Sequence, residues 1–166
     1  MKLTIHHCFY FINFVFLFHY SIYCYCDSVN NKDYADNLFK KGENLYNSGK
    51  YDSAVILFKS AAKIYYQQVK WEKYIKSLIE TAHCYRRKGD FKTGLDFANI
   101  AENAANQYFA KQNIIYSDIY HLKGTLLASS GDYTGSIPYY EEAIKLKIQF
   151  NGEKDTNLSN TYNNLG

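Results

Sequence analysis

Proline occurs once in this chain, at Pro138, and only one cysteine, Cys84, lies beyond residue 26. With so few helix breakers, few stretches of strand-like alternation and much Ala, Leu, Lys and Glu, the 166 residues read as an all-helical chain. A solitary cysteine cannot close an internal disulfide. Charge of one sign is also missing: 19 basic residues face 16 acidic ones for a net +3, and they are interspersed. No stripe reads as a nucleic-acid footprint, and the basic clusters Lys40-Lys41 and Arg86-Arg87-Lys88 read as solvated helix surface. Gly-rich phosphate loops, His-Glu-x-x-His and Cys-x-x-Cys are absent, so no cofactor, metal or catalytic residue is assigned.

What is present divides the chain in two. Residues 1–26 carry Lys2 and the amino terminus, then no Asp, Glu, Lys or Arg before Asp27. That is the layout of an export signal, a short positive start followed by an apolar stretch. Cleavage after Cys26 would place the small residues Cys24 and Cys26 where a signal peptidase reads. Cys8 to Cys26 is also 19 uncharged residues, near the ~20 that span a bilayer, so an uncleaved membrane anchor stays open as the second reading. A lipoprotein site is disfavoured by Tyr23 and Tyr25, which stand directly before the two cysteines. Both readings place the rest of the chain outside the cytoplasm, exported or held at a membrane through its N-terminus. The His6-His7-Cys8 cluster and the Cys24-x-Cys26 pair lie in this apolar leader, which offers no closed tetrahedral metal site. Residues 27–34 read as a short linker.

From residue 35 onward the sequence repeats. Aligning the phrases that start at Gly49, Gly89 and Gly131 brings Tyr51, Phe91 and Tyr133 into one column, and Ala54, Gly94 and Ser136 into another. Ala61, Ala101 and Ala143 form a further column, and Gly42, Ala82, Gly124 and Gly166 a fourth, at spacings of 40, 42 and 42 residues. Three of these columns hold only Gly, Ala or Ser, which together make up 32 of the 166 residues, so the recurrence is not chance.

Each unit reads as two helices. Leu38, Gly42 and Leu45 mark one face of the first, and Ala54, Phe58 and Ala61 one face of the second. Gly49, Gly89 and Gly131 stand where a left-handed residue ends a helix. Asp52, Asp90 and Asp132 stand near the start of the next helix, where a carboxylate caps free amides. Gly42 and Gly124 are expected to admit the paired helix, with the aromatics Tyr51, Phe91 and Tyr133 filling the adjoining space. Pro138 falls in the early turns of its helix, where its cost is reduced.

These columns, with a large apolar residue at the fourth place of the unit and an aromatic or Leu at the eleventh, resemble the tetratricopeptide repeat. The resemblance covers residues 35–166 as units of about 35–74, 75–116 and 117–158 and a partial unit 159–166. It departs from the pattern at Ala98, where an aromatic is usual, and at Gly94, where alanine is. The spacing, longer than the standard 34 residues, is similar to kinesin-light-chain-like and bacterial signalling arrays. NGEKDTNLSNTYNNLG, residues 151–166, resembles that long-repeat subclass most closely.

The resemblance implies an all-α, right-handed superhelical solenoid of antiparallel helix pairs, with seven helices after the leader. It also implies that the protein continues past Gly166. The segment is then either an interaction scaffold or the recognition arm of a larger exported or membrane-associated enzyme, of the CHAT-type caspase-like or sensor-kinase kind.

A groove on the first helices of successive units would then bind a protein or peptide partner. Carried over place by place, its residues are Phe39, Glu43 and Tyr46 (with Asp36) in the first unit and Lys76, Ile79, His83 and Arg86 in the second. They are Asp118 and His121 (with Thr125 and Ala128) in the third, and Asn160, Asn163 and Asn164 in the fourth. Phe39 and Glu43 replace the lysine and asparagine that chaperone-binding members use to clamp a terminal carboxylate, which disfavours that ligand. Within the repeats, His83 and Cys84 are neighbours that project about 100° apart on a helix, poor geometry for a base and a nucleophile. The adjacent pair Glu141-Glu142 reads as a solvated face.

Overall fold

The computed structural model describes residues 34–152 apart from Gln112. The leader 1–26, most of the linker, the partial fourth unit and the seventh helix expected there lie outside the described residues.

Six helices are described: α1 over residues 34–47, α2 Tyr51–Gln67, α3 Trp71–Arg87, α4 Phe91–Tyr108, α5 Ile115–Ser129 and α6 Tyr133–Asn151. There is no strand among the described residues, and none of these helices is long and apolar enough to cross a membrane. Helix α1 is already helical at Tyr34, the last residue assigned to the linker. Short turns fold each helix back along the one before, and the contacts run α2 on α3, α3 on α4, α4 on α5 and α5 on α6. The fold is an all-α repeat solenoid.

Turns at one edge follow the expected chemistry. Gly49, Gly89 and Gly131 adopt φ of 73°, 78° and 93°, the left-handed region that glycine enters without a Cβ clash. After each, a hydrogen bond reaches back to the last turn, as when Lys50 N–H donates to the Leu45 carbonyl. Asp90 and Asp132 are N-caps, accepting from Thr93 N–H at 3.1 Å and Gly135 N–H at 2.9 Å. Asp52 is not a cap: Lys50 holds that position, the carboxylate lies two residues further into the helix, and Asp52 pairs with Lys88 at the end of α3 instead.

The turn between α2 and α3 has the same bonding, with Val69 N–H donating to the Tyr66 carbonyl and Lys70 N–H to that of Tyr65. Its left-handed residue is Val69, at φ 60° and 63% exposed. A left-handed L-residue costs roughly 1–2 kcal/mol, and this side chain recovers little of it by burial. Val69→Gly is therefore expected to stabilise the fold by about 1 kcal/mol, partly offset by the freer unfolded glycine, and to raise Tm by about 2–4 °C. A thermal melt in which the variant unfolds earlier would show that Val69 is not strained.

Helix pairing rests on small residues facing large ones, but not the large ones the sequence suggests. A Cβ on Gly42 would lie 2.8 Å from the Phe58 ring, and one on Gly124 would lie 2.8 Å from the Tyr140 ring. Tyr133, expected as a filler, is instead 70% exposed, and Tyr51 packs edge-on against Tyr46 at 5.5 Å. The fillers sit two turns deeper, at the position Ala98 occupies in the second unit. There the large side chain comes from the next unit and lies over Gly94: Leu126 of α5 sits 2.6 Å from where a Gly94 Cβ would be, with the Ala82 carbonyl at 3.4 Å. The two departures of the second unit, Gly94 and Ala98, lie one turn apart on α4 and are both buried. Ala82, Ala98, Leu122 and Leu126 join a core spanning the second and third units.

Pro138 is not in the turn of free amides. The α6 ladder starts when Ser136 N–H donates to the Asp132 carbonyl, so Pro138, two residues on, removes a ladder bond. Thr134, whose carbonyl loses that donor, is exposed, as is Pro138, so water can serve it.

Candidate functional site

Helix α3 packs on α5, while the second helices α2, α4 and α6 touch one another less. The first helices α1, α3 and α5 therefore lie on the inside of the array's curve, and the candidate groove residues lie on them. Two cavities open on this face. One of about 340 Å³ is lined by Phe39, Glu43 and Lys76 with Asp36, Lys40, Tyr65 and Lys73. The other, of about 390 Å³, is lined by Lys76, Ile79, His83, Asp118 and His121 together with Glu72, Glu80, Asn113, Ile114 and Ile115. Lys76 borders both, so the cavities adjoin.

Phe39 is anchored 5.2 Å from the Phe58 ring, and the Lys76 ammonium lies 5.4 Å over its face. Asp36 accepts from Tyr65 Oη at 2.6 Å and Lys73 Nζ at 2.7 Å, and these two donors hold its carboxyl below the usual carboxylate range. This pair joins α1 to α2 and α3, which makes Asp36 a structural residue of the cavity wall. Ile79 is 7% exposed and forms floor, not rim. Tyr46 and Arg86 line neither cavity; both are half-buried, and the Arg86 Nε is enclosed without a hydrogen-bond partner among the described residues. Thr125 Oγ1 donates to the His121 carbonyl, which ties it to its own helix. Asn160, Asn163 and Asn164 lie outside the described residues.

The most informative residue absent from the sequence-derived set is Glu80. It stands at the sixth place of its unit, the place considered only for Asn164, and its acidic side chain on a helix otherwise buried around it was the available signal. Burial pushes its carboxyl up, against the opposing pull of Lys76. Burial also raises the carboxyl of Asp118, countered by Lys147 and Lys76. His83 and His121 are pushed down to about 4 by burial, helped for His83 by Arg86 and for His121 by Lys147 and Arg86. At neutral pH the larger cavity thus presents two neutral imidazoles, which donate and accept hydrogen bonds, beside the carboxyl groups of Glu80 and Asp118 and the side chain of Lys76.

A pH dependence follows. With folded values near 4 against an ordinary 6.5, both histidines take up protons in the unfolded chain first, so stability falls as pH drops from about 6.5 towards 4. Glu80 and Asp118, raised in the fold, oppose this at the acidic end. The expected net loss between pH 7 and pH 5 is about 1–2 kcal/mol in an open, water-reached cleft. Urea titrations at both pH values check it. A His83→Gln, His121→Gln double variant that keeps the full pH dependence would assign it to other groups.

The neighbouring Cys84 is buried among Ala54, Val55 and Phe58, and burial pushes its thiol up to about 12. A thiol so held is not a nucleophile at neutral pH. Among the described residues no group of three or more His, Cys, Asp or Glu is placed to hold a metal ion.

The family model described as tetratricopeptide repeat matches residues 117–147, within the third unit. No curated protein matches the chain. Among solved structures, the TPR2AB domain of yeast Sti1, in its pHSP90 complex, is 22% identical with a TM-score of 0.62 over 81% of this chain. The match takes in 48% of that chain, so the present chain spans about half of it. A TPR-like protein of Chlorobium tepidum is 12% identical with a TM-score of 0.63, over 83% of this chain and 96% of that one. The Sgt2 TPR domain of Aspergillus fumigatus is 21% identical with a TM-score of 0.55, over 78% of this chain and 77% of that one. The chain folds as a tetratricopeptide-repeat array and carries that family's repeat at residues 117–147.

Proposed function

We propose that the array is a protein-interaction scaffold that binds a peptide or partner helix along the face of α1, α3 and α5. The observation that carries this reading is the adjoining pair of cavities bordered by Lys76, which extends the candidate groove across three successive first helices. Its lining suits a peptide: Phe39 and Ile79 offer apolar seats, and His83, His121, Asp118 and Glu80 offer donors and acceptors for a backbone. A terminal carboxylate clamped on the first unit fits poorly, because Glu43 would repel it. The proposal includes a place for this scaffold, exported or tethered at a membrane, on the strength of residues 1–26.

A partner isolated by crosslinking through the groove provides the test. Lys76→Ala and His121→Ala are expected to weaken its binding by about 1–2 kcal/mol each, roughly 5- to 30-fold, whereas Lys92→Ala on the exposed start of α4 should change it less than twofold. Titration calorimetry in which Lys92 matters and the groove residues do not would reject the groove.

A further inference from the structure

The antiparallel array gives the molecule two unlike edges. At one edge lie the turns built on Gly49, Gly89 and Gly131, flanked by Ser48, Lys50, Lys88, Asp90, Ser130 and Asp132. Of the large hydrophobic side chains exposed among the described residues, that edge carries only Tyr133. The other edge gathers the start of α1, the α2–α3 turn, the α4–α5 connection and the end of α6. Five of the exposed large hydrophobics sit there: Tyr34, Tyr66, Val69, Ile114 and Phe150.

The centre of this second edge is aromatic. Trp71 is stacked on Tyr108, with centroids 3.6 Å apart and planes 3° from parallel, and Tyr66 meets the Trp71 ring edge-on at 5.5 Å. Beside them Val69 occupies the left-handed turn position that glycine takes at the opposite edge, strained and turned to solvent. A strained, exposed valine serves neither the turn nor the core, which directs attention to what lies outside.

We propose that this edge rests on the interface of a lipid bilayer. Tyrosine and tryptophan, with an apolar body and a polar handle, are the side chains that settle at the headgroup level. The chain itself leads there: α1 is helical from Tyr34, Ala35 packs in the cluster that Tyr74 borders, and Asp36 is bonded to Lys73, so the start of α1 lies at this edge. The residues before it in the sequence include the 19 uncharged ones from Cys8 to Cys26. An anchor entering the bilayer at that point would bring the aromatic edge against the membrane surface and leave the groove on α1, α3 and α5 facing along it. The inference takes up the anchor reading of residues 1–26 and adds a second, independent contact to it.

Trp71 is the sole tryptophan of the chain, so its emission reports on this edge alone. The full chain is reconstituted with phosphatidylcholine vesicles containing a minor share of phosphatidylglycerol, with or without bromine atoms near the headgroup end of the acyl chains. Trp71 is expected to be quenched at least about twofold by the brominated lipid, and a Tyr66→Ser, Val69→Gly double variant is expected to lose more than half of that quenching while still sedimenting with the vesicles. Val69→Gly alone, expected to be more stable than the parent chain, should weaken the quenching in part, which separates docking from folding. A chain that sediments with vesicles while Trp71 ignores the bromines would overturn the edge docking and leave the anchor standing. A chain that does not sediment would overturn both. Trp71 emission that shifts with protein concentration in the absence of lipid would give the edge to a second copy of the chain instead.

Discussion

Phe58→Ala is expected to lower stability by about 3–5 kcal/mol, at the upper end for a buried aromatic. Phe58 is fully buried, and its ring lies over Gly42, where a Cβ would be only 2.8 Å away, with the Phe39 ring, one turn before Gly42 on α1, at 5.2 Å. Truncation leaves a void bounded on one side by a residue without a side chain. The helix pair cannot close over it, because Ala54, Ala61 and the turn at Gly49 fix the spacing of α1 and α2. The same geometry makes Gly42→Ala unfavourable by about 1–3 kcal/mol, since the new methyl meets a ring with little room to move.

Combined, the two changes should partly cancel. The added methyl at residue 42 enters space the ring has left, so urea unfolding should show a coupling of about 1–2 kcal/mol. Strict additivity in that cycle would mean that Gly42 and Phe58 do not meet, and the register of the first unit would be wrong. Tyr140→Ala in the third unit should behave alike, because Gly124 stands against Tyr140 at 2.8 Å.

The second large effect concerns a charge. Lys123 on α5 is 6% exposed; its ammonium is paired with Glu102 of α4 and lies 5.5 Å over the Tyr139 ring. Glu102→Ala strands that ammonium between helices and should cost about 3 kcal/mol. Lys123→Met should cost less, about 1 kcal/mol, because the side chain of Glu102, a quarter exposed, can turn to water. Replacing both residues by apolar ones of similar size should be close to neutral. Denaturation of the three variants decides it, and equal losses for the two single changes would show that the pair is not buried in the sense that matters.

The sequence by itself determined the repeat, the helix pairs and the turns at one edge. Gly, Ala and Ser in fixed columns admit only close helix packing, and a glycine after a helical run answers a local steric demand that needs no distant partner. The resemblance to the tetratricopeptide repeat also pointed, place by place, to Phe39, Glu43, Lys76, Ile79, His83, Asp118 and His121, which line the two cavities, and to Tyr46 and Arg86, which do not. Tertiary structure alone decided which large side chain fills each small column. Sequence put Phe58 on the packing face of its helix but not over Gly42, nor Tyr140 over Gly124, and the filler over Gly94 is Leu126, contributed by the following unit. It also decided that Asp36 is committed to Lys73 and Tyr65, and that His83 and His121 are held neutral beside Glu80. Those outcomes depend on distances and desolvation summed over several helices, quantities that no single stretch of sequence contains. Val69 shows the same limit in the backbone, because only the folded turn reveals that a valine stands in a conformation suited to glycine.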